Sequence, residues 1–159
     1  MSIYIFVSTS SDYHVFSKNI NAVKEFGIEV STYYLSQFDK IEEQLSKGDI
    51  LVTRNLGGLS FNKDLLQKMN QVSHTKNLPF ICLPGYKNDD PSILSLSTAP
   101  VPVCQKMFSY YEACHSEHII ESLKYLSDLY CGTSLGWQEP KPFDEFGFLP
   151  GYADQEYIN

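Results

Sequence analysis

The sequence predicts an α/β fold in which helices cover both faces of a parallel β-sheet. Short apolar runs rich in β-branched and aromatic residues alternate with segments in which apolar residues recur at helical spacing. Four such strand–helix units follow one another, an order that favours right-handed crossovers and parallel strands. The 159 residues are enough for one domain with its own hydrophobic core.

The four predicted strands are short runs bounded by turn or capping residues. They cover residues 3–7, 28–35, 49–54 and 79–83. The third has the apolar centre Ile50 to Val52, which is typical of a strand buried on both faces. This pattern favours a parallel sheet with a helix layer on each side.

The helices between these strands are indicated by their apolar faces and their ends. In the first, Phe16, Ile20 and Val23 share one face, and Gly27 follows at the position of a C-cap glycine. A short amphipathic helix follows the second strand, and a third helix begins at Asn62. Each helix is therefore expected to pack one face on the sheet.

Residues 84–102 are expected to form a long loop or a short irregular helix, and two more helices are predicted after them. One presents Val103 and Met107 on a single face. The other is expected to have Ser116 as its N-cap and to end at Gly132.

Together these elements predict a flavodoxin-like three-layer sandwich over residues 1–134, with a central parallel sheet of four or five strands and two extra C-terminal helices. Residues 135–159 hold three prolines and several aromatic residues without periodicity. Such a segment cannot bury its rings by itself. We therefore predict an extended Pro/aromatic tail or a connection to a larger body.

Composition excludes several classes of function. The net charge is −7 and Arg54 is the sole arginine, so a basic surface for nucleic acid is not expected. No stretch approaches the ~20 apolar residues of a membrane span, and Met1 to Val7 lacks the features of a signal peptide. We therefore expect a cytoplasmic protein without a membrane partner. The four cysteines lack CxxC spacing and are expected to be free thiols.

Candidate ligand-binding residues follow the third strand, where open α/β sheets bind their ligands. Gly57 and Gly58 either allow a ligand to approach the backbone closely or form a simple turn. Arg54 offers a planar fork of donors to a propionate or acetamide edge, and the alternative is a salt bridge at the strand end.

Two other clusters carry weaker signals. Ser8 to Ser11 lies where a flavodoxin binds the phosphate of FMN, but the loop has no glycine and helix capping is the simpler interpretation. Residues 114–118 include Cys, His and Glu side chains, yet no second pair completes a site and no metal is predicted. The sequence contains no nucleotide-binding fingerprint and no recognisable catalytic constellation.

Five short elements follow one another at spacings that point to a known family. They are Gly48 to Gly58, Pro79 to Leu83 with Gly85, Leu96 to Pro100, Leu129 to Gly132, and Leu135 to Pro142 with Phe146 to Phe148 behind it. In this order they resemble the N-terminal segment of the cobaltochelatase large subunit (CobN) family, which is related to the magnesium chelatase large subunit.

The resemblance implies a role in ATP-dependent insertion of Co²⁺, or another divalent metal, into a corrin or related tetrapyrrole. The chain would contribute tetrapyrrole binding or subunit assembly, without catalysing the reaction alone and without a cofactor of its own. The implied partners are the chelatase body, AAA-type ATPase subunits and a tetrapyrrole ligand. The candidate substrate-binding residues are Arg54, Gly57, Gly58, Ser97 and Thr98.

Two other functions stay open at this point. One is a docking or regulatory module that binds a protein partner through the aromatic tail, Trp137 to Tyr157. The other is a relative of the flavodoxins that binds FMN or another small molecule through Ser8 to Ser11.

Overall fold

A four-stranded parallel sheet forms the centre of the protein. The computed structural model describes residues 1–56, 62–85 and 91–142. The strands are β1 (Ile3–Val7), β2 (Val30–Tyr34), β3 (Ile50–Asn55) and β4 (Phe80–Pro84). They lie in the order β2-β1-β3-β4, and each neighbouring pair is parallel. The predicted α/β class and parallel sheet are confirmed.

The helices occur where the sequence predicts them, with one difference in type. In the described ranges they are α1 (Ser10–Lys24), α2 (Phe38–Ile41), α3 (Lys63–Lys76), α4 (Val101–Glu112) and α5 (Ser116–Tyr130). The α2 helix is a single turn between two 3₁₀ turns, Leu35–Gln37 and Glu42–Gln44. The second predicted helix is therefore mostly 3₁₀.

Each face of the sheet has its own hydrophobic core because alternate residues of a strand point to opposite faces. On β1, Ile5 and Val7 belong to the core beneath α1, α4 and α5. Phe6 belongs instead to the core beneath α2 and α3. On β3, Val52 and Leu51 divide between the two cores in the same way. Helices therefore cover both faces, which is the predicted three-layer sandwich.

Local sequence explains how the helices begin and end. Thr9 caps α1, because its hydroxyl oxygen accepts a 3.2 Å hydrogen bond from the N–H of Asp12. The predicted N-cap of α5 is wrong by one residue. His115 has extended backbone and its carbonyl accepts the first helical hydrogen bond, from Ile119 at 3.0 Å, so Ser116 is the first helical residue.

The outer edge of β4 is covered by the chain that precedes α4. The hydroxyl oxygen of Thr98 accepts a 2.9 Å hydrogen bond from the N–H of Phe80, and that of Ser97 accepts one of 2.8 Å from the N–H of Cys82. The N–H of Thr98 donates to the carbonyl of Phe80 at 2.8 Å. The backbone groups of this edge strand are thus satisfied within the chain and are not offered to another strand.

Residues 135–142 lie against α4 and α5, and we call them the docked segment. The carboxylate of Asp128 accepts hydrogen bonds from the N–H groups of Leu135 and Gly136, both at 2.8 Å. Trp137 packs edge-on against Tyr125, with ring centroids 4.8 Å apart. The first part of the predicted tail is therefore held on the domain, and the rest, residues 143–159, lies outside the described residues.

Within the described part of the chain, no helix combines the length and the apolar character needed to cross a membrane.

Substitution of Thr98 by valine should destabilise the fold, because it leaves the N–H of Phe80 without its side-chain acceptor in a partly buried setting. We expect the free energy of unfolding to fall by about 1–3 kcal/mol, measured by urea denaturation. Thr75→Val is the matched control, because Thr75 is exposed on α3. An equal loss in both variants would contradict a specific role for Thr98.

Candidate functional site

The candidate site lies outside the carboxyl ends of β1 and β3. These strands are neighbours, while the helices that follow them, α1 and α3, lie on opposite faces of the sheet. In open α/β sheets, ligands bind at the crevice created by such a reversal. Arg54 stands at this place, in register with Val7 at the end of β1.

A buried ion pair between Arg54 and Asp12 occupies this end of the sheet. The guanidinium Nη1 lies 2.6 Å from Oδ1 of Asp12, and the two side chains are only 7% and 9% exposed. The second guanidinium nitrogen, Nη2, donates to the carbonyl of Gly85 at 3.2 Å. Arg54 therefore connects the first turn of α1 with the residue that follows β4.

The ion pair keeps one donor and one acceptor without a partner among the described residues. Nε of Arg54 and Oδ2 of Asp12 are buried, and neither forms a hydrogen bond within residues 1–56, 62–85 and 91–142. An unmade hydrogen bond in a buried position is costly. The arrangement is suited to a group that offers both an acceptor to Arg54 and a donor to Asp12.

Hydrogen bonds made by side chains stabilise the same end of the sheet. The hydroxyl of Ser8, the residue after β1, accepts a 2.9 Å hydrogen bond from the N–H of Leu56, the residue after β3. The side-chain amide of Asn62 donates to Oδ1 of Asn55 at 2.7 Å. The two loops that border the crevice are therefore tied to each other and to the start of α3.

Two further titratable side chains beside the pair are held in their neutral forms. Burial raises the pKa of the Cys114 thiol to about 11, and Asp12 adds to this rise while Arg54 opposes it. Burial also raises the pKa of the Tyr111 hydroxyl, which shares a 2.9 Å hydrogen bond with Ser122. Cys114 is therefore a poor nucleophile at neutral pH.

Arg54 is the predicted site residue that the structure places at the crevice. Ser97 and Thr98 bond to the outer edge of β4, so the structure puts them on the side of β4 away from Arg54. Gly57 and Gly58 lie outside the described residues. The predicted site residues are thus divided between two places.

Asp12 is a site residue that was not predicted from the sequence. The feature that could have indicated it is an acidic residue in the first turn of the helix that follows β1, where a carboxylate is favourable beside the helix N-terminus. A salt bridge was one of the two alternatives predicted for Arg54, and the structure identifies Asp12 as its partner. Because Asp12 and Arg54 neutralise each other, the pair leaves no net positive charge to hold a phosphate at this helix end. This weakens the case for FMN at Ser8 to Ser11.

The side chains of residues 114–118 are arranged around the docked segment. Nδ1 of His118 lies 2.7 Å from the carbonyl oxygen of Tyr110, and Nε2 accepts a 3.0 Å hydrogen bond from the N–H of Lys141. Where the structure describes the chain, no group of three His, Cys, Asp or Glu side chains is placed to hold a metal ion.

Comparison with known proteins gives a likeness in fold. No protein family matches the chain, and neither does any curated protein. Among solved structures, the catalytic subunit of cobaltochelatase from Mycobacterium tuberculosis is similar, with a TM-score of 0.67 and 16% sequence identity. The likeness covers 89% of this chain and 11% of that one. The likeness is one of fold, between this chain and a small part of a much longer protein.

Removing the carboxylate of Asp12 should leave Arg54 charged and unpaired in a buried position. We expect Asp12→Ala to lower the free energy of unfolding by about 3–5 kcal/mol, measured by chemical denaturation. The double variant Asp12→Ala/Arg54→Met should recover most of this loss, because it removes the buried charge as well.

The control for this experiment is Asp39→Ala, which breaks an ion pair with Lys68 of the same 2.6 Å length at an exposed position. No measurable change is expected there, because exposed pairs are screened by solvent. Equal effects of the two alanine variants would show that burial does not determine the strength of the Arg54 contact.

The raised pKa of Cys114 should slow its alkylation. At about pH 8 its thiolate fraction should be about a hundredfold below that of a thiol with the ordinary value of 9.0. Mass spectrometry of the Cys114 peptide after treatment with iodoacetamide should show a rate that is still rising above pH 9, with glutathione as the reference thiol. A rate at neutral pH that matches glutathione would contradict the neutral form.

Proposed function

We propose that this chain is a domain of a cobaltochelatase-type assembly that contributes to tetrapyrrole binding or to subunit assembly. It does not catalyse metal insertion alone. The observation that carries the proposal is the likeness in fold, over 89% of the chain, to part of the catalytic subunit of cobaltochelatase. The five ordered elements of the sequence support the same relationship.

The proposed contact with the macrocycle is the crevice at Arg54 and Asp12. Arg54 is already neutralised by a carboxylate 2.6 Å away. The pair still offers a buried donor, Nε of Arg54, and a buried acceptor, Oδ2 of Asp12. These two atoms are suited to a polar group at the edge of a tetrapyrrole rather than to its apolar face.

The same proposal assigns the metal ion and ATP to other parts of the assembly. The metal ion is a substrate of the reaction, and ATP is used by separate AAA-type subunits. This chain would hold neither of them. Because it corresponds to 11% of the similar catalytic subunit, the macrocycle would also contact parts of the assembly that this chain does not contain. We therefore expect weak binding by the isolated chain.

Titration with a corrin precursor and with a porphyrin tests the proposal. Binding should change the macrocycle's absorbance and quench the fluorescence of Trp137, the single tryptophan of the chain. The double variant Asp12→Ala/Arg54→Met should bind at least about tenfold more weakly, because a buried hydrogen bond to a charged group contributes roughly 1.5–3 kcal/mol.

The control variant is Lys24→Met, which removes a cation from the last turn of α1, at the opposite end of the sheet. Its affinity should equal that of the unmodified chain. Saturable binding that is insensitive to the double variant would move the macrocycle site elsewhere on the domain. Absence of binding to either macrocycle would leave assembly as the remaining role.

A docking module is the second candidate, and the docked segment is the observation that favours it. Hydrogen bonds to Asp128 and the contact of Trp137 with Tyr125 hold the start of the aromatic tail at a fixed place on the domain. Truncation after Pro142 keeps this segment and removes the remaining tail. Loss of a chelatase-subunit interaction with unchanged folding would favour docking through the tail.

A further inference from the structure

Successive residues of the docked segment contact α5 at positions progressively closer to the N-terminus of that helix. Trp137 packs on Tyr125, the N–H of Gln138 donates to Glu121 at 2.8 Å, and the N–H of Lys141 donates to His118 at 3.0 Å. The phenol of Tyr110 on α4 also donates to the carbonyl of Gln138. The segment thus runs antiparallel to α5, and the backbone N–H of Lys141 is bound by one imidazole ring.

The hydrogen bonds of His118 require its ring to be neutral. The carbonyl of Tyr110 can only accept, so Nδ1, at 2.7 Å, carries the hydrogen. The backbone N–H of Lys141 can only donate, so Nε2, at 3.0 Å, uses its lone pair. An imidazole with one donor and one acceptor is uncharged. The ring is 2% exposed, so water cannot readily replace either contact.

Several charged and titratable side chains lie beside His118 in the part of the chain that the structure describes. The ring of His115 stacks on it with centroids 4.5 Å apart, and burial lowers the pKa of His115. Nζ of Lys141 is a cation nearby, paired with Glu117 at 3.0 Å. Among the described residues, further titratable groups beside this region are Tyr110 on α4, Glu121 on α5, and Glu139 on the segment, which pairs with Lys106.

We propose that His118 is a proton-operated latch that holds the docked segment on α5 when neutral and releases its C-terminal part when protonated. Protonation places a hydrogen on Nε2, which then faces the N–H of Lys141, so two donors meet where a hydrogen bond existed. The new cation also lies in a buried position beside His115. Both effects separate Lys141 from α5. This inference does not depend on the proposed function.

The latch predicts a pH-dependent change at the C-terminal part of the docked segment in the full chain. When the pH is lowered from about 7.5 to about 5, the NMR signal of the Glu139 amide should shift as Lys141 separates from α5. The hydrogen-exchange protection factor of the Lys141 amide should fall about tenfold, because one hydrogen bond is lost. Far-ultraviolet circular dichroism should stay unchanged, which separates release of the segment from unfolding.

Three histidine variants identify the responsible group. His118→Gln should abolish the transition, because glutamine does not titrate. His14→Gln should retain it, because His14 is exposed on α1. His115→Gln should also retain a transition, because the acceptor of the Lys141 N–H is still present. Persistence of the transition in His118→Gln, or its loss in His115→Gln alone, would overturn the assignment to His118.

A pair of variants at Lys141 tests the contact without changing the histidine. Lys141→Pro removes the backbone N–H, whereas Lys141→Ala keeps the N–H and removes only the ion pair with Glu117. The alanine variant should retain the pH-dependent shift of the Glu139 amide signal. The proline variant should show the released signal already at neutral pH. A Glu139 amide signal that does not change with pH in the unmodified chain, or equal profiles in the two variants, would overturn the latch.

Discussion

The buried ion pair between Arg54 and Asp12 is the constraint on which the arrangement at the carboxyl end of the sheet depends. Its 2.6 Å contact joins the first turn of α1 to the end of β3, and the bond from Nη2 to Gly85 extends the connection beyond β4. A single guanidinium thus fixes three elements that come from distant parts of the sequence. Because the charges lie in the interior, neither can be removed alone without leaving the other uncompensated.

The fold was predictable because the signals for it are local. Apolar runs such as Ile50 to Val52 identify buried strands, and their order along the chain selects a parallel sheet. The type of the second helix was not predictable, since its turn is too short for helical periodicity to distinguish α from 3₁₀ geometry. The cap of α5 was missed by one residue because His115 takes a position that serine usually favours.

The candidate site was predictable only in part, since its partners are distant in sequence. Arg54 was recognised from its place at the end of a buried strand, whereas its pairing with Asp12 depends on how α1 is set against the sheet. Ser97 and Thr98 were expected at the crevice, but they cover the edge of β4 instead. Sequence shows that β4 is a strand without showing that it is an edge strand. The sequence therefore does not show that the backbone N–H groups on the outer edge of β4 need side-chain acceptors.

The antiparallel course of residues 135–142 determines how this domain can be attached to anything larger. The α5 helix is about 22 Å long, at about 1.5 Å per residue, and its start lies close to Cys114, beside Arg54 and Asp12. By returning along the helix, the chain reaches Pro142 on the same side of the domain as the crevice. Anything attached through the chain beyond Pro142 therefore starts from the side of the domain that holds the buried Arg54–Asp12 pair.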